Sequence, residues 1–344
     1  MLKVGLVGIG FMGRGHLDQY IRLMKEGAPV KLVAICDVDA NKFNNIFVPG
    51  NIDVGTGTYD FSQYHCYTDF DEMIANEDLD FVDMPLPTYL HSHYAIKALN
   101  AGLHVFCEKP MARTPEQCRL MIEAADKAGK KLMIGQCLRF WPAYETLKDY
   151  VVSGEFGKPV YAQFYRGSNT PAWSYQGWMR DEIRSGGCLL DQHVHDVDMI
   201  NHVFGIPEAV STMGCNNLPG TGFDAVSTHY RFPGGFVCTA LDDWSQNGDG
   251  VQFNMNYRVN FEKGTIIFDG SKCTVHPVGG TQFVADNKNG DDGYYREICY
   301  FIDCIINDKP IEVASPESTM NSIKIATIER ESALRNGEWL PVNI

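Results

Sequence analysis

The stretch that decides the fold is VGLVGIGFMG, Val4 to Gly13. Residues 2–7 form a short apolar run without a helical period, so a strand is expected, and it leads straight into Gly8, Gly10 and Gly13 spaced as G-x-G-x-x-G. With 33 glycines in the chain the spacing alone is weak evidence; its position between a strand and a helix gives it meaning. There Gly8 permits a tight turn, Gly10 lets the backbone approach a pyrophosphate, and Gly13 allows close helix packing, while the helix amino terminus favours negative charge. Dinucleotide contacts are therefore expected along Gly8, Ile9, Gly10, Phe11, Met12 and Gly13. The helix continues through Leu17, Tyr20, Ile21 and Met24 and ends near Gly27.

Working outward, a second strand over 30–36 ends at Asp37, 24 residues beyond Gly13. That is about the separation at which an acidic side chain meets the adenosine ribose 2'-hydroxyl. A carboxylate there repels a 2'-phosphate, so NAD is expected and NADP disfavoured. A helix cap at Asp37 or Asp39 is the competing reading. Residues 47–59, rich in Gly, Asn and Thr, form an irregular insertion to which no function is assigned.

A strand over 81–84 gives way to Pro85, Leu86 and Pro87, a turn expected beside the cofactor. The helical spacing over 90–101 carries His91 and His93 near its start. Of these His91 is a candidate cofactor contact, against the plainer reading of a surface histidine. The run HVFCEKP, His104 to Pro110, predicts a strand that stops at Glu108 and Lys109. Carboxyl ends of parallel strands face the ligand crevice, which makes Lys109 a candidate for chemistry and Glu108 a cofactor-side or structural contact. Pro110 pushes Lys109 out of helical geometry. A merely solvated lysine is the alternative. A helix over 114–128, capped by Thr114 with Pro115 behind it, and a strand over 131–135 complete the alternation. Residues 1–139 are thus expected to form an α/β, doubly wound parallel (Rossmann) sheet.

From residue 140 to 344 the alternation stops, and strand-like runs follow near 160–166, 209–215, 225–232, 236–244, 253–261 and 265–268. Helices over 294–306 and 316–335 close the chain. The expectation is an α+β domain for substrate binding, with an open, mainly antiparallel sheet. An uncovered sheet face suggests a homo-oligomer, a dimer or tetramer.

Within this half, SGGCLLDQHVHDVD, Ser185 to Asp198, predicts one helix reaching Phe204. Asp191, His195, Asp198 and His202 then share one polar stripe. A carboxylate and an imidazole one turn apart can meet the same small molecule, and His195 is the natural proton carrier. A solvated stripe and a divalent-metal site compete with this, the metal weakened by the lack of a further ligand cluster. His193, nearer the apolar side, is expected to be structural. Residues 167–180 hold Trp173, Tyr175 and Trp178, flanked by Arg166 and Arg180. Aromatic faces and polar groups suit a polyhydroxylated ligand, so Arg139, Arg166, Trp173 and Trp178 join Asp191 and His195 as candidate substrate contacts. A loop packing its own aromatics is the alternative.

Composition narrows the partners. The 43 acidic residues against 29 Lys and Arg give a formal charge of -14, which disfavours nucleic acid and anionic membrane. Hydrophobic content of 44% is that of an ordinary globular chain, and neither a bilayer-length apolar run nor a signal-peptide layout is present. Eleven scattered cysteines, several at apolar positions, fit free thiols in a reducing compartment, so a cytoplasmic location is expected.

Three of these stretches together resemble the Gfo/Idh/MocA (glucose-fructose oxidoreductase / inositol dehydrogenase) family: Val4 to Gly13, Gly102 to Ala112 with its E-K-P run, and Ser185 to Asp198 with its D-x-x-x-H pattern. The resemblance spans essentially the whole chain. It implies NAD(P)-dependent oxidation or reduction of sugars and cyclitols, with Lys109 beside the nicotinamide and Asp191 and His195 binding and deprotonating a substrate hydroxyl. It also implies a cis Lys109–Pro110 bond. His193 stands where a glycine is common in the family, which leaves the substrate open. Two other activities stay in view: an NAD-dependent glycoside hydrolase of the same superfamily, and a sensor that binds NAD or sugar without catalysis.

Overall fold

The computed structural model describes residues 1–52, 57–248 and 250–344. In chain order its first part runs β1 (Leu2–Val7), α1 (Phe11–Lys25), β2 (Val30–Cys36), β3 (His65–Tyr67), α2 (Phe70–Asn76), β4 (Phe81–Met84), α3 (Thr88–Asn100), β5 (His104–Glu108), α4 (Pro115–Ala128) and β6 (Leu132–Gly135). The six strands lie in the order β3-β2-β1-β4-β5-β6, all parallel, so the chain reverses its direction of travel between β1 and β4. Strands β4 and β6 are buried along their whole length, as a sheet covered on both faces requires. Local signals set the helices: the Thr114 hydroxyl accepts from Gln117 N at 3.2 Å, and α4 ends on Gly129 at φ 62°.

The second part runs α5 (Pro142–Ser153), β7 (Pro159–Asn169), α6 (Glu182–Ser185), α7 (Gly187–Asp191), α8 (Val194–Phe204), β8 (Ala209–Cys215), β9 (Ala225–Arg231), β10 (Val237–Gln246), β11 (Asn254–Phe261), β12 (Gly264–Phe268), β13 (Cys273–Pro277), β14 (Phe283–Val284), α9 (Gly293–Ile306), α10 (Pro316–Leu334) and β15 (Leu340–Pro341). Nine strands form one sheet in the order β14-β13-β12-β11-β7-β10-β9-β8-β15. It is mainly antiparallel, but the central pair β7 and β10 is parallel, so the sheet is mixed. Strands β3, β13, β14 and β15 were not legible in the sequence. No helix among the described residues is long and apolar enough to cross a membrane.

Two compact units result. The first holds residues 1–136, 173–176 and 294–320; the second holds 137–172, 177–293 and 321–344. Helix α9 belongs almost wholly to the first, where Phe301 packs on Phe81 and Phe106 at ring-centroid distances of 5.5 and 5.6 Å. Much of the insertion at 47–59 is described: Asn45 brackets Tyr59 through two side-chain hydrogen bonds, and the Gly50 backbone lies against the Phe11 ring. Residues 53–56 of that insertion lie outside the described residues.

The predicted helix over 185–204 does not form as one piece. It breaks at Gly186, whose φ of 92° suits glycine, and again at Gln192 and His193 between α7 and α8. Periodicity suggested continuity because both pieces keep an apolar face; at the second interruption Gln192 and His193 keep right-handed helical φ/ψ, but the His193 N–H reaches back five residues to the Cys188 oxygen at 2.8 Å, a wide turn within the helix.

Candidate active site

In the first unit the glycine turn separates into two kinds of requirement. A Cβ on Gly13 would lie 1.9 Å from the Gly8 carbonyl oxygen, and Gly8 itself has φ of 96° beside the Pro85 carbonyl, so packing and backbone demand both glycines. Gly10 differs: its φ is -70°, and among the described residues no atom beyond its chain neighbours lies within 4 Å of where its Cβ would be. Nothing among the described residues asks for glycine there, whereas a pyrophosphate approaching the start of α1 would. Residues Gly8 to Gly13 thus fit a dinucleotide, with Pro85 and Leu86 flanking the turn. Gly10→Ala should keep the wild-type Tm while weakening NADH binding at least tenfold in a fluorescence titration, and Gly13→Ala should lower Tm itself by several degrees. Unchanged NADH affinity in Gly10→Ala would remove the pyrophosphate assignment.

Asp37 ends β2 and is 6% exposed. Its Oδ2 accepts from Ile9 N and from Lys42 Nζ, both at 2.8 Å, and its Oδ1 accepts from Asp39 N at 2.9 Å. The carboxylate is therefore tied to the glycine turn, where a ribose contact belongs, but part of its charge is offset by Lys42. Capping falls to Asp39, which accepts from Asn41 N. Lys42 was not singled out in the sequence. Its Nζ also lies over the Tyr175 ring, 5.0 Å from the centroid.

Lys109 follows β5 directly, and its bond to Pro110 is cis. Its backbone is held on both sides. Glu108 Oε2 accepts from Lys109 N at 3.0 Å, while His91 Nδ1 lies 2.8 Å from the Pro110 oxygen and Nε2 lies 2.7 Å from the Leu86 oxygen. His91 departs from the cofactor contact expected of it, while Glu108 takes the structural of its two expected roles. His91 is fully buried with both ring nitrogens on backbone carbonyls, so it ties the turn after β4 to the turn after β5 instead of reaching a ligand. Glu108, 4% exposed, turns its Oε1 to His16 Nε2 at 3.1 Å.

His16 carries this anchoring further. Both oxygens of buried Asp83 lie within 3.0 Å of His16 Nδ1, and Tyr20 donates its hydroxyl to Asp83 at 2.9 Å. Burial alone would lower the His16 pKa, but Asp83 and then Glu108 outweigh it and raise it well above the ordinary value. An imidazolium has no lone pair for a metal. The grouping of His16, Glu108 and Glu297, with ligand atoms within 4.8 Å of one another, is accordingly a charged anchor at the end of β5 and not a cation site while His16 is protonated. A histidine on the apolar face of α1 and an aspartate inside β4 were the available signals, and neither was used.

In the second unit Asp191 ends α7, 6% exposed, and His195 lies in the first turn of α8, half-buried. Of the rest of the predicted stripe, His202 is half-buried and Asp198 is taken up by a buried ion pair. Asp198 is 1% exposed and takes Arg139 Nε and Nη2 at 2.8 and 2.7 Å, with Ser322 Oγ donating at 2.7 Å. Arg139, 2% exposed, is thereby corrected from substrate contact to buried ion-pair partner. Arg166 is corrected likewise: 3% exposed, it holds Asp196 through two 3.2 Å hydrogen bonds. The two tryptophans expected to form one wall fall in different units. Trp173 belongs to the first, its ring 5.1 Å from Phe11 in the glycine turn, and Trp178 to the second, half-buried in a short 3-10 helix.

A parallel sheet in the order β3-β2-β1-β4-β5-β6 with a glycine turn after β1 defines a Rossmann dinucleotide-binding protein. Residues 2–136 match the family described as "Oxidoreductase family, NAD-binding Rossmann fold", and residues 144–267 match the "GFO/IDH/MocA C-terminal domain". The chain belongs to the Gfo/Idh/MocA family of NAD-binding oxidoreductases. It is 32% identical over 203 residues to the inositol 2-dehydrogenase of Salmonella typhimurium, 58% of this chain and 54% of that one, so the match spans about half the length of that relative. It is 27% identical over 278 residues to the 2,7-anhydro-N-acetylneuraminate hydratase of Escherichia coli, 78% of this chain and 68% of that one. The structure of a levoglucosan dehydrogenase in complex with NADH and levoglucosan shares the fold at a TM-score of 0.84, 22% identity and 99% coverage of each chain.

Proposed function

We propose that the protein is an NAD-dependent dehydrogenase acting on a secondary alcohol of a sugar, sugar derivative or inositol. The observation that carries this reading is that both halves of the chain match the family, in a sequence whose Lys109 is anchored at the end of β5 and which carries Asp191 and His195. Bound nicotinamide would supply the hydride acceptor. His195 takes the hydroxyl proton, and Lys109 and Asp191 orient the oxygen and steady the charge that develops on it. Reduction of NAD across a panel of sugars, glycosides and inositols tests it: NADH should accumulate with at least one polyol. Binding of NADH without turnover on any of them would instead fit a sensor.

The similarity to a hydratase favours one further outcome. Product formed from a glycoside or anhydro sugar with catalytic NAD, and with no net NADH, would mark the non-redox variant of the same site, which is also the signature of an NAD-dependent glycoside hydrolase.

For the cofactor, Asp37 supports NAD over NADP, and Lys42 softens the discrimination. Asp37→Ser should cut the ratio of kcat/KM for NAD over NADP at least tenfold; an unaltered ratio would take Asp37 out of ribose recognition. A homo-oligomer, a dimer or tetramer, is supported by β7, where half-buried Tyr161, Gln163 and Tyr165 alternate with buried Ala162, Phe164 and Arg166, leaving one sheet face for a second copy. Eleven free cysteines, eight of them buried, support a cytoplasmic location.

A further inference from the structure

In an unbroken helix Asp191 and His195 would share one face by helical geometry alone. Between α7 and α8 the His193 N–H bonds to the Cys188 oxygen five residues back at 2.8 Å, and this wide turn shifts the helical register, so the contacts of the two residues within it bear on how Asp191 and His195 stand. Both residues within the break turn into the second unit. Gln192 Nε2 donates to the Asp243 and Arg166 carbonyl oxygens at 2.9 and 3.2 Å, and Ser168 Oγ donates to Gln192 Oε1 at 2.9 Å. His193 is fully buried, with Nδ1 2.5 Å from Asp242 Oδ2 and Nε2 3.1 Å from Glu329 Oε2. Thr228 Oγ1 and Tyr230 Oη stand 3.3 and 3.4 Å from the same Nε2.

A neutral imidazole has one N–H, so ionised carboxylates close to both nitrogens favour the imidazolium. Burial lowers the His193 pKa, but Asp242 and Glu329 outweigh it and raise it to about 10. Asp242 also lies 3.9 Å from Arg166 Nε, and Arg166 holds Asp196. Two cations, His193 and Arg166, thus face three carboxyls, Asp196, Asp242 and Glu329, all 0–3% exposed. A net buried charge is costly, which favours a proton on one of the carboxyls. Burial above all, with Asp242 adding to it and Arg166 opposing, pushes Asp196 up to about 7.

We propose that His193 is a positioning residue: clamped between Asp242 of β10 and Glu329 of α10, it locks the α7–α8 break and so holds Asp191 and His195 in their working orientation. This rests on the reading of His195 as the proton carrier. His193 touches no substrate; it acts through the two residues that stand two positions to either side.

The test compares His193→Gln, Asp242→Asn and the double variant with wild type, using His195→Ala as the reference. Each single variant should lower kcat by about 10- to 100-fold with the NADH dissociation constant within twofold of wild type, and the double should be no worse than the poorer single, because both changes break one clamp. The folded imidazole titrates above its ordinary 6.5, so its contribution to stability is complete below about pH 6.5 and is lost as pH rises through about 10. That part of the fall in Tm with rising pH should vanish in His193→Gln, showing that the clamp is gone. If it vanishes while kcat stays within twofold of wild type, or if the single losses multiply in the double variant, the positioning role is overturned. Should His193→Gln not fold, Asp242→Asn with Glu329→Gln breaks the clamp from the carboxylate side and is judged by the same readouts. A His195→Ala enzyme that keeps its rate overturns the proton-carrier reading and the clamp with it, as does a wild type that turns over nothing in the panel. An inactive His195→Ala beside a normal His193→Gln overturns the clamp alone.

Discussion

Lys109→Ala and His195→Ala should each lower kcat on the true substrate by roughly 100- to 10,000-fold while NADH still binds. The two losses have different physical origins. Without His195 the hydroxyl proton has no carrier as the carbon–hydrogen bond breaks, so kcat and kcat/KM should fall together. Without Lys109 the developing oxygen charge loses an ammonium that the turn after β5 holds in place through Glu108 and, at Pro110, through His91. Cofactor binding should survive both changes, since the Gly8 to Gly13 turn makes its own backbone geometry. Stopped-flow hydride transfer with NADH titrated separately measures each part. Near-normal rates in both variants would show that the roles are wrongly assigned.

The second large effect concerns stability. Arg139→Ala should destabilise the second unit by about 3–5 kcal/mol, because it strands the Asp198 carboxylate at 1% exposure with Ser322 as its remaining donor. Replacing both members with apolar residues, Arg139→Met with Asp198→Leu, should recover much of that loss, since no buried charge is then left unpaired. Thermal unfolding of the three variants decides the matter. A substrate-binding arginine would behave otherwise: Arg139→Ala would keep its Tm and raise KM for the sugar alone. That pattern would return Arg139 to substrate binding.

Much of the fold was legible because its signals are local. The apolar run before Gly8, the spacing of Gly8, Gly10 and Gly13, the Thr114–Pro115 helix start and the strand stopping at Lys109 each depend on neighbours in the chain, and the structure places all four where they were expected. The short strands β3, β13, β14 and β15 were missed because two to five residues carry too little alternation to stand out. The helix over 185–204 is shorter than its periodicity suggests because an apolar period persists across the left-handed Gly186 and the wide turn at Gln192 and His193.

The candidate site divides in the same way. Sequence alone singled out the residues proposed to meet the nucleotide and the hydroxyl: the glycine turn, Asp37 and Lys109 stand out by their position at strand ends, and Asp191 and His195 by their spacing in a helical polar stripe. Only the tertiary structure decided which of the remaining polar residues are buried anchors. Arg139 and Asp198 are 59 residues apart, His193 and Asp242 49 apart, and His16 and Glu108 92 apart. A charge that reads as exposed in the sequence becomes internal when folding brings its partner to it, because a buried ion is tolerated only where an opposite charge is already fixed. That pairing belongs to the packed units, and no local spacing encodes it.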